Sequence, residues 1–261
     1  MKSFIFAIQF LTRIPLAADI APDEKLARRS LALFPLVGWL IGGILYCLCV
    51  LIMLPGKLAP VTVAALLVAA ETFLTGAFHL DGLTDTFDAF FSTGKTREQK
   101  LEIMKDSHIG AMGAVALIIT LLLKVTLISE CIRYDLKAYI AIYPAMGRFA
   151  QVALYKTSPY VRRNGIGLIF SKAAGPRAFW FGIALLCPSM LAQTPHLIAA
   201  YALYGAFVWL FARYSESHIG GITGDVLGSA TVLSEIVFLA SFPVSLFLQW
   251  AFLQLIISLS P

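Results

Sequence analysis

Long runs of mainly apolar residues constrain this chain more than any other feature. The hydrocarbon core of a bilayer is about 30 Å thick, so a helix that crosses it needs roughly 20 such residues. An apolar tail over 226–260 has room for two passes with a turn at Pro243. Six earlier runs cover 31–54, 60–80, 111–132, 137–155, 178–194 and 196–214. The sequence therefore predicts an all-α, polytopic membrane bundle of about six to eight transmembrane helices.

Composition supports this fold class and excludes others. Hydrophobic residues make up 59% of the chain and charged residues 13%, against about 25% charged in soluble domains. This balance excludes a disordered chain, a disulfide scaffold and a nucleic-acid-binding domain. The four cysteines lie in or beside apolar stretches and are interpreted as buried thiols. In the absence of repeats or linkers, residues 1–261 are predicted to form one membrane-embedded domain.

The start of the chain and the placement of basic residues predict its orientation. Residues 3–11 (SFIFAIQFL) are too short to span, and we expect an interfacial or re-entrant helix there. Lysine and arginine are concentrated before the first span, in 81–110 and in 156–177. By the positive-inside rule, these segments and the region near 213–225 face the cytoplasm.

Three of the few acidic residues form a stripe in the segment HLDGLTDTFDAFF. Asp81, Asp85 and Asp88 are spaced i, i+4 and i+7, which places them within roughly 60° of each other on a helix. Like charges in such an apolar setting repel, and a bound divalent cation offsets that cost. Because the ligands are oxygens, Mg²⁺ or Mn²⁺ is favoured over Zn²⁺. The alternative is a solvated loop whose acids point to water.

A second polar cluster, SHIGGITGDVLGSA, precedes an apolar helix. Its glycines surround Thr223 and Asp225. A glycine-rich turn at a helix N-terminus offers free backbone N–H groups and a favourable dipole for phosphate. The alternative is that the glycines serve only tight helix packing.

Charged side chains inside the predicted spans need partners. We expect Arg148 to pair with a phosphate or a carboxylate, and Lys124 to pair with Glu130 or an interior acid, or to face a polar cavity. Glu71 and Glu235 are interpreted as hydrogen-bond partners or as protonated and silent groups. Aspartates, a glycine turn and arginines on one membrane face suit phosphoryl-type transfer.

The segments GAFHLDGLTDTFDAFFS, LEIMKDSHIGAMGA and GGITGDVLG resemble the cobalamin synthase family, and so do FLTRIP and FPLVGWLIGG. The resemblance covers nearly the whole chain. It implies a Mg²⁺-dependent transferase of the bacterial inner membrane with its active site facing the cytoplasm. The implied reaction joins adenosylcobinamide-GDP to α-ribazole or its 5′-phosphate, giving adenosylcobalamin or its 5′-phosphate and GMP. The expected partners are these small molecules and the bilayer, and homo-oligomerisation is left open.

The resemblance also implies roles for individual residues. The expected catalytic residues are Asp81, Asp85 and His79, with one of the acids or His79 as the base. The expected Mg²⁺ ligands are Asp81, Asp85, Asp88 and Asp225. The expected substrate-binding residues are Arg13, Asp106, Arg148, Arg162, Gly221, Thr223 and Gly224.

Two other functions compete with this hypothesis. A cation-coupled transporter would also carry intramembrane acids, broken helices and many glycines. A phosphotransferase acting on lipid head groups would also use an aspartate cluster on membrane helices. The acids lie near the cytoplasmic ends of the spans and no inverted repeat is seen, which favours an enzyme over a transporter.

Overall fold

The computed structural model describes residues 1–16, 20–21, 23–192 and 196–259, and within this part the chain is helical. The prediction of an all-α fold is confirmed there. The helices are α1 (Lys2–Leu11), α2 (Glu24–Ala32), α3 (Phe34–Met53), α4 (Pro60–Thr75), α5 (Phe78–Phe90), α6 (Arg97–Ile103), α7 (Ala111–Arg133), α8 (Ala138–Thr157), α9 (Ile166–Ala173), α10 (Pro176–Leu186), α11 (His196–Ile219) and α12 (Gly224–Leu259).

The protein is a helical membrane protein with fewer recognisable spans than the sequence predicts. Among the described residues, three helices are long and apolar enough to cross a membrane: α3, α7 and the Gly224–Pro243 part of α12. The pair α4 and α5 makes a fourth if the two are one broken span. These three or four candidates do not support the expected six to eight spans.

Two of the predicted passes differ in the structure for clear reasons. The run 178–194 begins within α10, which has 11 residues and is followed by the 3₁₀ helix Cys187–Ala192. Eleven residues rise only about 17 Å, short of a bilayer core. The expected turn at Pro243 is wrong, because α12 continues through that proline as one helix of 36 residues.

The break between α4 and α5 determines where the acidic stripe lies. Gly76 and Ala77 both adopt left-handed backbone conformations, with φ of 65° and 59°, and the two helices meet at 91°. Glycine adopts this conformation at no steric cost, whereas Ala77 does so at about 1–2 kcal/mol. The bend is braced by the backbone N–H of Arg13, which donates to the carbonyl of Leu74 at 2.7 Å.

The bundle is organised around α8 and α12. Helix α3 packs along α8, and α12 packs against α5, α8 and α11. Helix α8 is buried over most of its length, including its polar residues Arg148 and Gln151. The α8–α12 contact therefore forms the interior of the bundle, and the first turn of α12 opens beside α5.

Candidate active site

A cavity of about 260 Å³ lies where α5, α8 and the start of α12 meet the segment between α8 and α9. Its charged and polar lining comes from separate parts of the sequence. The predicted site residues that line it are His79, Asp81, Arg162, Gly224 and Asp225. The structure thus brings together the two motifs that the sequence singled out.

Close packing of two helices places the aspartates side by side. A side chain on Gly82 would collide with the backbone of Asp225, and one on Gly228 would press on the backbone of His79. Only a residue without a Cβ allows α5 and α12 to approach this closely. Asp81, next to Gly82, and Asp225 therefore line the same cavity.

The glycine turn before α12 places Arg162 by pairing with the chain after α8. The N–H of Val161 donates to the carbonyl of Ile222 at 3.0 Å, and the N–H of Ile222 donates to the carbonyl of Pro159 at 2.8 Å. Gly221, with φ of 159°, leaves no room for a Cβ against the Pro159 carbonyl. The pairing brings the Arg162 guanidinium to 2.5 Å from the Asp225 carboxylate.

Thr223 and Gly221 support the turn rather than lining the cavity. The Thr223 hydroxyl accepts the backbone N–H of Val226 at 3.2 Å and so caps α12. The Gly221 carbonyl accepts a hydrogen bond from the buried Ser215 hydroxyl at 2.6 Å. Gly224 alone of the three lines the cavity, and the N-terminus of α12 opens there.

Asp85 and Asp88, both predicted metal ligands, have different surroundings. Asp85 is half-buried and lies within electrostatic reach of Asp81, Asp88 and Asp225. The Asp88 carboxylate accepts the backbone N–H groups of Gly110 and Gly113 at 2.7 and 2.8 Å. Asp88 therefore stabilises the N-terminus of α7, where its negative charge interacts favourably with the positive end of the helix dipole.

A buried hydrogen-bond network determines which nitrogen of the His79 ring carries the proton. The Thr231 hydroxyl donates to the Leu227 carbonyl at 2.8 Å, so it accepts from the amide nitrogen of Gln151 at 2.8 Å. The same nitrogen lies 3.0 Å from Nε2 of His79. The network therefore assigns Nε2 as an acceptor and places the ring proton of a neutral imidazole on Nδ1.

Next to His79, four charged side chains pair with each other inside the bundle. Lys124 lies 2.7 Å from Glu71 and 2.6 Å from Glu235. Arg148 forms an ion pair with Glu235, and Tyr143 donates to Glu71 at 2.7 Å. All four charged residues are at least 95% buried. The prediction that Arg148 meets an anion is confirmed for a carboxylate, and Lys124 pairs with interior acids rather than with Glu130.

Two other predicted substrate-binding residues lie elsewhere. Arg13 lines a separate cavity of about 420 Å³ with residues of α3 and α4. Asp106 is exposed and accepts hydrogen bonds from the backbone N–H of His108 at 3.1 Å and from its ring at 2.6 Å. These bonds lower the pKa of Asp106, and the carboxylate in turn raises the pKa of His108.

Among the lining residues that the sequence did not indicate are Gln151, Tyr155 and Tyr160. Gln151 is a buried amide within the apolar helix α8, and Tyr155 and Tyr160 stack with their ring centroids 6.2 Å apart. Burial raises the pKa of the Tyr160 hydroxyl above its usual value, against the lowering effect of Arg162. A glutamine in a membrane helix is an outlier that could have indicated Gln151, whereas Tyr160 depends on the pairing with Ile222.

Residues 3–243, including both motifs and all of the cavity lining, match the family model described as cobalamin-5-phosphate synthase. The chain belongs to the cobalamin-5-phosphate synthase family. Its HxDGxxD segment, residues 79–85, supplies His79 and Asp81 to the cavity, and its GGxTGD segment, residues 220–225, supplies Gly224 and Asp225.

Members of this family resemble the chain over nearly its full length. An adenosylcobinamide-GDP ribazoletransferase of Acinetobacter baumannii (strain ACICU) is 36% identical over 250 residues, which cover 95% of this chain and 99% of that protein. A protein of the same name from Desulfitobacterium hafniense (strain Y51) is 36% identical over 250 residues, covering 93% of this chain and 97% of the relative. No solved structure matches the chain.

Proposed function

We propose that this chain transfers the phosphate of adenosylcobinamide from adenosylcobinamide-GDP to α-ribazole or its 5′-phosphate. A ribose hydroxyl attacks the phosphorus on the cobinamide side, the bond to the bridging diphosphate oxygen breaks, and GMP leaves with that oxygen. The products are adenosylcobalamin or its 5′-phosphate and GMP. The observation that carries the proposal is that Asp81, Asp225 and Arg162 line one cavity at the N-terminus of α12.

The residues of this cavity fit Mg²⁺, although less simply than a four-aspartate site would. Among the described residues, no three His, Cys, Asp or Glu side chains are arranged to hold a metal ion. Mg²⁺ does not need such a group, because it binds through one or two carboxylates, water and substrate phosphates. Asp81 and Asp225 would hold it with Asp85 beside them, while Asp88 is engaged by α7. The bound ion would neutralise diphosphate charge.

The protein groups then have separate tasks. Arg162 lines the cavity and donates to Asp225, and the other N–H groups of its guanidinium can hold a phosphate oxygen of the leaving GMP. The N-terminus of α12 at Gly224 favours the same negative charge. The Nε2 lone pair of His79 is engaged by Gln151, which favours a carboxylate, Asp81 or Asp85, as the acceptor of the hydroxyl proton.

The location of the reaction follows from charge placement. Arg162 and Arg163 lie in the basic segment between α8 and α9, and Lys95, Arg97, Lys100 and Lys105 follow α5. The positive-inside rule puts these segments in the cytoplasm. We propose that the protein lies in the bacterial inner membrane with its cavity open to the cytoplasm, where nucleotides are found.

The decisive experiment is a reconstituted assay. The protein is placed in liposomes with adenosylcobinamide-GDP and α-ribazole, and GMP and the corrinoid product are measured together by chromatography. We expect equal amounts of both products, dependence on Mg²⁺ and loss of turnover with EDTA. Turnover that survives EDTA would contradict the metal assignment, and absence of GMP would contradict the reaction. GMP formed without α-ribazole would indicate a hydrolase.

A further inference from the structure

A groove outside the catalytic cavity combines an apolar wall with one arginine. Ile44 and Leu48 of α3 and Phe73 of α4 line it, and Arg13 lies at its edge. Phe73 is 82% exposed, so the groove lies on the outer surface of the bundle, where hydrocarbon chains surround a membrane protein. Its volume of about 420 Å³ falls within the range of small-molecule sites.

The side chain of Arg13 is exposed at the edge of this apolar surface. The Arg13 side chain lies over Gly76 at the bend between α4 and α5. Within the described residues, the ion pairs of the protein do not include Arg13. An arginine on an apolar, lipid-facing surface is costly unless an anion or the interface receives its charge.

We propose that this groove binds an anionic phospholipid of the cytoplasmic leaflet. The phosphate is held by Arg13, which can donate two parallel N–H bonds to it, and one acyl chain lies along Ile44 and Leu48. Charge complementarity selects the lipid, because that leaflet carries the anionic head groups and Arg13 belongs to the segment expected there. The lipid would brace the bend that directs α5 and Asp81 into the cavity.

Lipid retention tests the site without any turnover measurement, so its result is independent of the proposed reaction. The protein is reconstituted in phosphatidylcholine vesicles with a minor fraction of phosphatidylglycerol, re-extracted, and its retained lipids are counted by mass spectrometry. We expect phosphatidylglycerol to be enriched about tenfold over its bulk share, as a charged hydrogen-bonded contact implies. Arg13→Gln should return the ratio to the bulk value, and Arg13→Lys should keep part of the enrichment.

Two further variants separate the groove from general surface charge. Arg28→Gln removes an exposed arginine of α2 that is near Glu24 and should leave the enrichment unchanged. Ile44→Trp fills the groove, leaves Arg13 in place and should abolish it, with folding checked by thermal unfolding in phosphatidylcholine. Inorganic phosphate should not displace the lipid. An equal loss in Arg28→Gln, an unaffected Ile44→Trp, displacement by phosphate or no enrichment in the unmodified protein would overturn the proposal.

Discussion

The molecule holds two groups of charged side chains, and they are balanced in opposite ways. Deep in the bundle, Glu71 and Glu235 face Lys124 and Arg148, so two acids meet two bases. In and beside the cavity, Asp81, Asp85 and Asp225 face a single guanidinium, that of Arg162. The charges of the interior group cancel each other, whereas the cavity retains an excess of negative charge.

This difference indicates what each group does. A neutral, buried set of ion pairs connects α4, α7, α8 and α12, and we expect it to fix the register of these helices. The excess of carboxylates in the cavity suits the binding of a cation, such as the proposed Mg²⁺. His79 lies between the two groups, and its hydrogen bond to the buried Gln151 serves the fold rather than the reaction.

The largest expected effect comes from unbalancing the interior group. Glu235→Gln leaves Lys124 and Arg148 with one carboxylate, Glu71, in a buried setting. Removing one partner of a buried ion pair typically costs about 3–5 kcal/mol. We expect the thermal unfolding temperature in detergent to fall steeply, with lower yield of folded protein.

Two variants serve as controls for this change: one in an exposed ion pair and one that restores the charge balance. Glu102→Gln affects an exposed pair with Lys105, and we expect a loss below about 1 kcal/mol. The double variant Glu235→Gln with Lys124→Met restores equal charge and should recover much of the stability. Similar unfolding temperatures for Glu235→Gln and Glu102→Gln would show that the interior group is not what holds the helices together.

The second effect concerns catalysis alone. Asp81→Asn removes a charge from the cavity rim, where the side chain is exposed, so the unfolding temperature should change little. We expect GMP release to fall by about 10²–10³-fold, a loss typical of removing one group that stabilises transition-state charge. The matched control is Asp135→Asn, an exposed left-handed residue at which asparagine is tolerated. Near-normal turnover in Asp81→Asn would remove this residue from the mechanism.

Asp88 tests whether a carboxylate of the acidic stripe stabilises the fold or binds the metal ion. If it serves α7, then Asp88→Asn should lower stability by about 1–2 kcal/mol, since a helix N-terminus loses its charge-assisted acceptor. The Mg²⁺ concentration that gives half-maximal turnover should remain the same. A tenfold rise in that Mg²⁺ concentration would show instead that Asp88 is a metal ligand.

The sequence predicted the parts of this arrangement that depend on local spacing. The helical stripe of Asp81, Asp85 and Asp88 and the glycine turn before α12 follow from periodicity and composition alone. What spacing did not reveal depends on tertiary contacts. The N–H groups that engage Asp88 come from a helix that begins more than 20 residues later, and Glu71 meets Lys124 only after four helices pack. Hydropathy likewise did not register that α10 ends early.

The smallest expected effect is that of a charge pair fully in water. His108 and Asp106 are exposed and 2.6 Å apart, and the carboxylate raises the pKa of His108 above 6.5. A raised pKa means that the folded protein binds the proton more tightly, so the pair stabilises the fold at low pH and loses this contribution as pH rises through the raised value. Asp106 has a lowered pKa, so its contribution is lost as pH falls through that value. In NMR spectra of histidine-labelled protein, His108 should titrate above pH 6.5, and Asp106→Asn should bring it back towards that value with no measurable change in unfolding temperature. A midpoint that does not move in Asp106→Asn would mean that water screens this pair completely, and exposure alone would then separate it from the buried interior group.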